Sequence, residues 1–225
     1  MIEQLGWQGL VQLIAAIGAL GTAAVGLVDA SKWARGGISN AGYRTLKKGL
    51  DEYAPAFAQS IGADWEEVFR AAWLNGRPKI DQLITARNFI RLGLTKDTAE
   101  DIAKACNVNV ERLQTVAAKI SAGKPLDAAE FEAVGRMDAS VEARLGTAYE
   151  RAEQIYRSSA KVFAGAAAIV LALLAWWLVL GGDQAYFGLS LLAGIVAVPV
   201  APVVKDLTSA LAASAQTAKA LKGLP

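Results

Sequence analysis

Three glutamines near the start of the chain are the side chains best placed to do chemistry in this sequence. Gln4, Gln8 and Gln12 lie four residues apart in a run without charge. Each amide carries two N–H donors and a carbonyl acceptor. Small residues continue the face at spacings of three and four: Ala15, Ala19, Thr22 and Gly26. Amides inside a bilayer need protein or water as partners, so this stripe predicts either helix packing or the wall of a water-lined pore.

Two further patterns concern helix contact and bending. Gly18, Thr22 and Gly26 form a small-residue track of the kind that lets membrane helices approach closely. Pro199 and Pro202 interrupt an apolar run near its end. They predict either a hinge or a kink or stop where the helix leaves the membrane.

Enzyme chemistry has little support in the residue types. The chain contains no histidine and a single cysteine, Cys106, so the commonest general base and zinc sites of the Cys and His type are missing. Neighbouring acids such as Glu66 and Glu67 point apart on a helix and predict solvated faces. We therefore expect no catalytic residue, no metal and no cofactor.

The elements that carry these residues are predicted to be membrane spans. The chain is 54% hydrophobic and 20% charged, against about 45–50% and about 25% for an ordinary soluble domain. Residues 4–28, 162–182 and 184–204 contain no charge, and each run has roughly the 20 residues that cross a bilayer as a helix. A chain of 225 residues could not bury three such helices on all sides.

Charge predicts how the spans are oriented. All 23 lysines and arginines lie in residues 29–161 or after residue 204, whereas Glu3 and Asp183 flank the spans on the other side. The positive-inside rule therefore predicts an inner-membrane protein whose N-terminus is outside and whose residues 29–161 and C-terminus are cytoplasmic. Aromatic residues typical of a membrane interface flank the short loop between the last two spans: Trp176, Trp177, Tyr186 and Phe187.

The region between the first two spans is predicted to be helical, because alanine is abundant and strand-like alternation is missing. Helices are expected over 39–60, 64–74, 79–92, 95–106 and 110–122. The pattern Asp127-x-x-Glu130 predicts a capping box. No proline follows until Pro199, so one helix is expected to run from 127 into the second span. Its apolar stripe predicts packing on the other cytosolic helices or a coiled coil between copies: Val134, Met137, Val141, Leu145, Ala148, Ala152 and Ile155.

Residues 95–120 are similar in spacing to DNA-binding helix-turn-helix motifs, with Asn107 at the turn position where glycine is usual. Two helices joined by any tight turn give the same spacing. The second helix offers only Arg112 and Lys119, with Glu111 beside them. Nucleic acid is therefore not expected as a partner.

These patterns predict an all-α membrane protein. The expected divisions are span one at 1–28, a cytosolic helical domain at 29–126, a juxtamembrane helix at 127–161, a membrane hairpin at 162–204 and an amphipathic tail at 205–225. The expected function is a self-associating pore, channel or membrane-perturbing assembly with a cytosolic helical collar. The alternatives are an accessory or scaffold subunit of a larger membrane complex and a membrane-tethered DNA-binding regulator.

Overall fold

A computed structural model describes the backbone of residues 7–32 and 36–222 and the side chains of residues 12–32, 36–203 and 206. Within these ranges the chain forms α-helices and no strand, which confirms the all-α prediction for them. The helices are α1 (Trp7–Ser31), α2 (Ser39–Asp51), α3 (Ala54–Ile61), α4 (Trp65–Leu74), α5 (Lys79–Leu92), α6 (Ala99–Cys106), α7 (Val110–Ser121), α8 (Ala128–Val179) and α9 (Gln184–Lys222).

Three helices are long and apolar enough to cross a membrane. The qualifying stretches are Gln12–Ser31 in α1, a part of the 52-residue α8, and Gln184–Val203 in α9. Each qualifying stretch overlaps one of the three uncharged runs of the sequence.

The chain divides into two compact units. We call residues 1–37 and 158–225 the apolar unit and residues 38–157 the charged unit. The charged unit carries 17 lysines and arginines and 17 aspartates and glutamates, so its formal charges balance.

Aromatic side chains fill the centre of the charged unit. Phe57 is fully buried, and its ring lies 5.4 Å from that of Trp65 and 4.7 Å from that of Phe69. From α2, Leu46 and Leu50 enter the same core one turn apart. Packing of such rings and aliphatic side chains supplies the burial that holds these short helices together.

The apolar stripe of α8 lies in this core. Met137, Val141 and Leu145 are fully buried within the chain, while Ile155 is 40% exposed. The packing alternative is therefore the one observed, and most of the stripe is not available for a coiled coil between copies.

Ion pairs fix the direction of α5 against α8. Lys79 pairs with Glu150 at 2.7 Å, Arg87 with Glu142 at 3.2 Å, and Arg91 with Asp138. Partner numbers fall along α8 as they rise along α5, so the two helices are antiparallel. Exposed pairs of this kind contribute about 0–1 kcal/mol each, and their main effect here is to set the register.

The helix expected over 39–60 is wrong in one respect, because it is broken into α2 and α3. Pro55 occupies the first turn of α3, where its missing N–H costs nothing. Inside a continuous helix the same ring would remove a hydrogen bond and clash with the preceding turn. The chain therefore ends α2 at Asp51 and restarts at Ala54.

The turn at Asn107 and the capping box at Asp127 and Glu130 are present as predicted, and Asn109 caps α7. Asn107 has φ 54° and ψ 45° at the end of α6, the left-handed conformation that asparagine tolerates. Asn109 accepts a hydrogen bond from the Arg112 N–H at 2.8 Å. At the start of α8, Asp127 Oδ1 accepts from the Glu130 N–H at 2.9 Å, and Glu130 Oε2 accepts from the Asp127 N–H at 2.8 Å. This reciprocal pair is a capping box.

The apolar unit packs through small residues. Ala24, Ala168 and Ala197 are each fully buried and form the centre where α1, α8 and α9 meet. A Cβ added to Gly194 would lie 2.8 Å from Ile169 Cα, so α8 and α9 approach to backbone contact. Close approach over small side chains is the usual way for membrane helices to gain packing.

A tight turn joins α8 to α9. Gly181 and Gly182 both have positive φ, 64° and 73°, which glycine adopts without steric penalty. The Trp176 indole donates to the Asp183 carbonyl at 2.7 Å, and the Asp183 carboxylate accepts from the Ala185 N–H at 2.9 Å. These contacts close the hairpin and hold an aromatic side chain at its tip.

Candidate self-association face

The stripe predicted on the first helix lies in α1 and is exposed wherever its side chains are described. Its members there are Gln12, Ala15, Ala19, Thr22 and Gly26. We call these five residues the open face of α1. Gln4 lies outside the described residues, and Gln8 is helical but its side chain lies outside them.

The opposite face of α1 makes the contacts within the chain. Gly18, Gly21, Ala24 and Val28 are buried. At 100° per residue the centre of this set lies roughly 145° around the helix from the centre of the open face. The chain therefore packs α1 through one small-residue face and leaves a second small-residue face without an intrachain partner among the described residues.

The open face has polar and small side chains in one line. The Thr22 hydroxyl donates to the Gly18 carbonyl at 2.9 Å, so its hydrogen is satisfied within the helix. The Gln12 amide has no hydrogen-bond partner among the described residues. A Cβ placed on Gly26 would meet nothing within 4 Å. Another helix could approach this line as closely as α9 approaches the opposite face.

The predicted small-residue track is divided between the two faces. Gly18 is buried in the apolar unit, whereas Thr22 and Gly26 are exposed. The residues that take part in packing against α9 are instead Gly21 and Ala24. A Cβ on Gly21 would lie 2.7 Å from the Ala197 carbonyl carbon and 2.8 Å from Ala201 Cβ. Sequence spacing alone did not single out Gly21, because it sits beside equally small residues.

The two prolines proposed as a hinge lie inside α9. Pro199 and Pro202 are both exposed, and the helix continues to Lys222. The alternative in which they stop the helix is wrong. Each proline removes one backbone N–H donor from the helix, and the helix nevertheless continues through both positions. The tail predicted over 205–225 is helical as far as Lys222, but most of its side chains lie outside the described residues.

The aromatic residues expected at the membrane interface cluster at the α8–α9 turn. The Trp176 ring lies 6.1 Å from that of Trp177 and 5.2 Å from that of Phe187, both in edge-on arrangements. Trp177 is 65% exposed. Amphipathic rings at one end of a hairpin suit the headgroup region of a bilayer.

The two helices of the predicted motif, α6 and α7, pack together on either side of Asn107, and one of the two cations of α7 is engaged in ion pairs. Lys119 contacts Glu130 at 2.6 Å and Asp127 at 3.7 Å. Arg112 is exposed beside Arg136, which pairs with Glu132 at 2.7 Å. The formal charges of the charged unit balance, whereas affinity for a phosphate backbone comes from clustered lysines and arginines.

The single thiol of the chain, on Cys106, is buried. Burial raises the pKa of the Cys106 thiol, which lies 3.8 Å from the Tyr53 hydroxyl. Among the described residues, no three side chains of the metal-ligating types come together.

Comparison of the chain with protein-family models, with curated proteins and with solved structures finds no match in any of the three.

Proposed function

We propose that this protein is a non-catalytic integral membrane protein that self-associates through the open face of α1. The assembly would form a pore or otherwise perturb the bilayer, with the charged unit as a helical collar. The observation that carries the proposal is the line of Gln12, Ala15, Ala19, Thr22 and Gly26, which is exposed on the single chain.

The spacing of this line favours pairing with another helix. Steps of three, four, three and four residues repeat every seven, the pattern of helices that wind around each other with a left-handed twist. Alanine, threonine and glycine at the seam allow close approach, and amides can hydrogen-bond across it. A second copy of the same helix offers both features at matching positions.

The glutamine side chains on this helix favour a water-lined pore over helix packing alone. Gln12 lies on the open face, and Gln8 precedes it in sequence by four residues, about one helical turn. Several copies of α1 around a common axis would place their amides as neutral polar rings, which can hydrate a passage without a fixed charge. Residues 4–28, 162–182 and 184–204 contain no Asp, Glu, Lys, Arg or His, so a proton relay is not part of the proposal.

Native mass spectrometry of the full chain released from detergent tests self-association. We expect a closed oligomer of four or more copies for the wild type and a single chain for Ala19→Leu, whose added side chain fills the seam. Ala16→Leu is the matched control. It adds the same volume as Ala19→Leu, and Ala16 is exposed on α1 but is not part of the open face. A wild-type monomer, or a stoichiometric complex with other chains, would move the function to an accessory or scaffold subunit.

Dye release from liposomes tests the pore itself. The wild type should release a small dye in proportion to protein load. Gln12→Leu should abolish release while the oligomer mass is retained, since leucine removes the amide without breaking the seam. Liposomes that remain tight at high protein load would refute the pore.

We also propose the inner membrane as the location, with the N-terminus outside and the charged unit in the cytoplasm. Lys32 and Lys161 flank the spans on one side and Asp183 lies on the other, as the positive-inside rule requires. Alkaline phosphatase inserted after Asp183 should be active, and the same enzyme inserted after Lys124 should be inactive. The reverse result would invert the topology.

A further inference from the structure

A groove between α2 and α8 in the charged unit carries an excess of positive charge. Its volume is about 550 Å³, and Lys48, Arg144 and Arg151 line it together with Glu52. The groove does not belong to the open face of α1, and the sequence patterns assigned no role to its three cations.

Two of the three cations are free to act on a ligand. Arg144 donates to Glu52 at 2.6 Å and is thereby neutralised. Lys48 and Arg151 are exposed and have no ion pair among the described residues. In the same unit, by contrast, Lys47 pairs with Asp51 at 2.7 Å. These two unpaired cations line one concavity of a unit whose formal charges sum to zero.

Small side chains form the floor of the groove. A Cβ on Gly49 would lie 2.7 Å from Ala148 Cβ, so α2 and α8 touch at this point and leave space above it. Thr147 also lines the groove, and its hydroxyl donates to the Ala143 carbonyl at 2.8 Å. Thr45 adds a second hydroxyl to the lining. A ligand resting on this floor would meet cations and hydroxyls at its rim.

We propose that this groove binds a phosphate group, with Lys48 and Arg151 as its ligands. A guanidinium matches two phosphate oxygens in a bidentate manner, and an ammonium adds a compact point charge. The volume falls within the range of small-molecule sites, about 300–1,000 Å³, and leaves room for the organic part of a phosphate ester. Both a soluble ester and a lipid headgroup present this chemistry.

Isothermal titration calorimetry of the full chain in dodecylmaltoside, with pyrophosphate as the probe, tests the site. We expect saturable binding at one site per chain. Lys48→Gln and Arg151→Gln should each weaken it about fivefold or more, because each removes a charge-assisted contact. Glu52→Gln should strengthen binding, since it releases Arg144. Lys96→Gln and Lys124→Gln are the matched controls, as both cations are exposed and unpaired among the described residues, and they should bind as the wild type.

Nanodiscs distinguish the two sources of phosphate. In phosphatidylcholine nanodiscs pyrophosphate should bind as in detergent. If a lipid headgroup occupies the groove, addition of about 10% phosphatidic acid should abolish pyrophosphate binding. If the ligand is soluble, phosphatidic acid should leave pyrophosphate binding unchanged. Either result supports a phosphate site in the groove. No saturable binding in detergent or phosphatidylcholine, or equal weakening in the control variants, would overturn it.

Discussion

The contrast between Gly21 and Gly26 gives the sharpest test of which face of α1 packs within the chain. We predict that Gly21→Ala destabilises the apolar unit and that Gly26→Ala does not. A Cβ on Gly21 would stand 2.7 Å from the Ala197 carbonyl carbon, whereas a Cβ on Gly26 meets nothing within 4 Å. Carbon atoms normally keep about 3.5–4.0 Å apart, so α1 and α9 would have to separate by about 1 Å.

The magnitude follows from comparing the two variants. Both gain the same helix propensity from alanine, about 1 kcal/mol, and this gain cancels in their difference. What remains is the cost of overpacking at Gly21, about 1–3 kcal/mol. For a chain of this size 1 kcal/mol shifts the midpoint by about 2–4 °C, so Gly21→Ala should unfold about 2–12 °C below Gly26→Ala.

The assay is thermal unfolding of the full chain in dodecylmaltoside, followed by circular dichroism. It must be run at a detergent excess where the measured mass is that of one chain, so that self-association does not contribute. Gly194→Ala provides an independent second position, because its Cβ would meet Ile169 Cα at 2.8 Å. Equal midpoints for Gly21→Ala and Gly26→Ala, or a lower one for Gly26→Ala, would refute the assignment of the two faces.

Three further predictions concern the charged unit, each measured by thermal unfolding. Glu130→Ala should cost about 1–3 kcal/mol, because it removes half of the capping box and leaves Lys119 without its nearest partner; an unchanged midpoint would contradict this. Asn107→Ala should cost about 1 kcal/mol and Asn107→Gly should not, because φ is 54° there; equal effects would be inconsistent with the left-handed turn. Lys79 holds the pKa of the Glu150 carboxyl below its ordinary 4.5. The stability from this pair is therefore complete well above pH 4.5 and is lost as the pH falls through the lower pKa of the folded state. Glu150→Gln should weaken the fall of the unfolding midpoint at acid pH, and an unchanged fall would count against the pair.

Much of the fold could be predicted from charge and proline. Uncharged runs located the helices that can span a membrane, and the absence of proline between Pro125 and Pro199 is consistent with the unbroken α8. The capping box could be predicted from Asp127 and Glu130, because that motif depends only on residues three positions apart in the sequence. The break at Pro55 was missed, since a proline can start a helix as readily as it can end one.

The orientation of α1 could not be predicted from the sequence. Ala15 and Ala19 on the open face are as small as Gly21 and Ala24 on the buried face, so periodicity alone does not tell which side meets α9. The groove between α2 and α8 could not be predicted from the sequence either. Lys48 and Arg151 are distant in sequence, and only the packing of α2 on α8 brings them to one concavity.

The burial of Cys106 makes every measurement of copy number simpler. This single thiol is 5% exposed, faces Tyr53, and its pKa is raised by burial, so little reactive thiolate is present at neutral pH. Two folded chains have no other cysteine through which to become cross-linked by air oxidation. The mass of an assembly should therefore be the same with and without reductant, and any oligomer seen owes its existence to noncovalent packing.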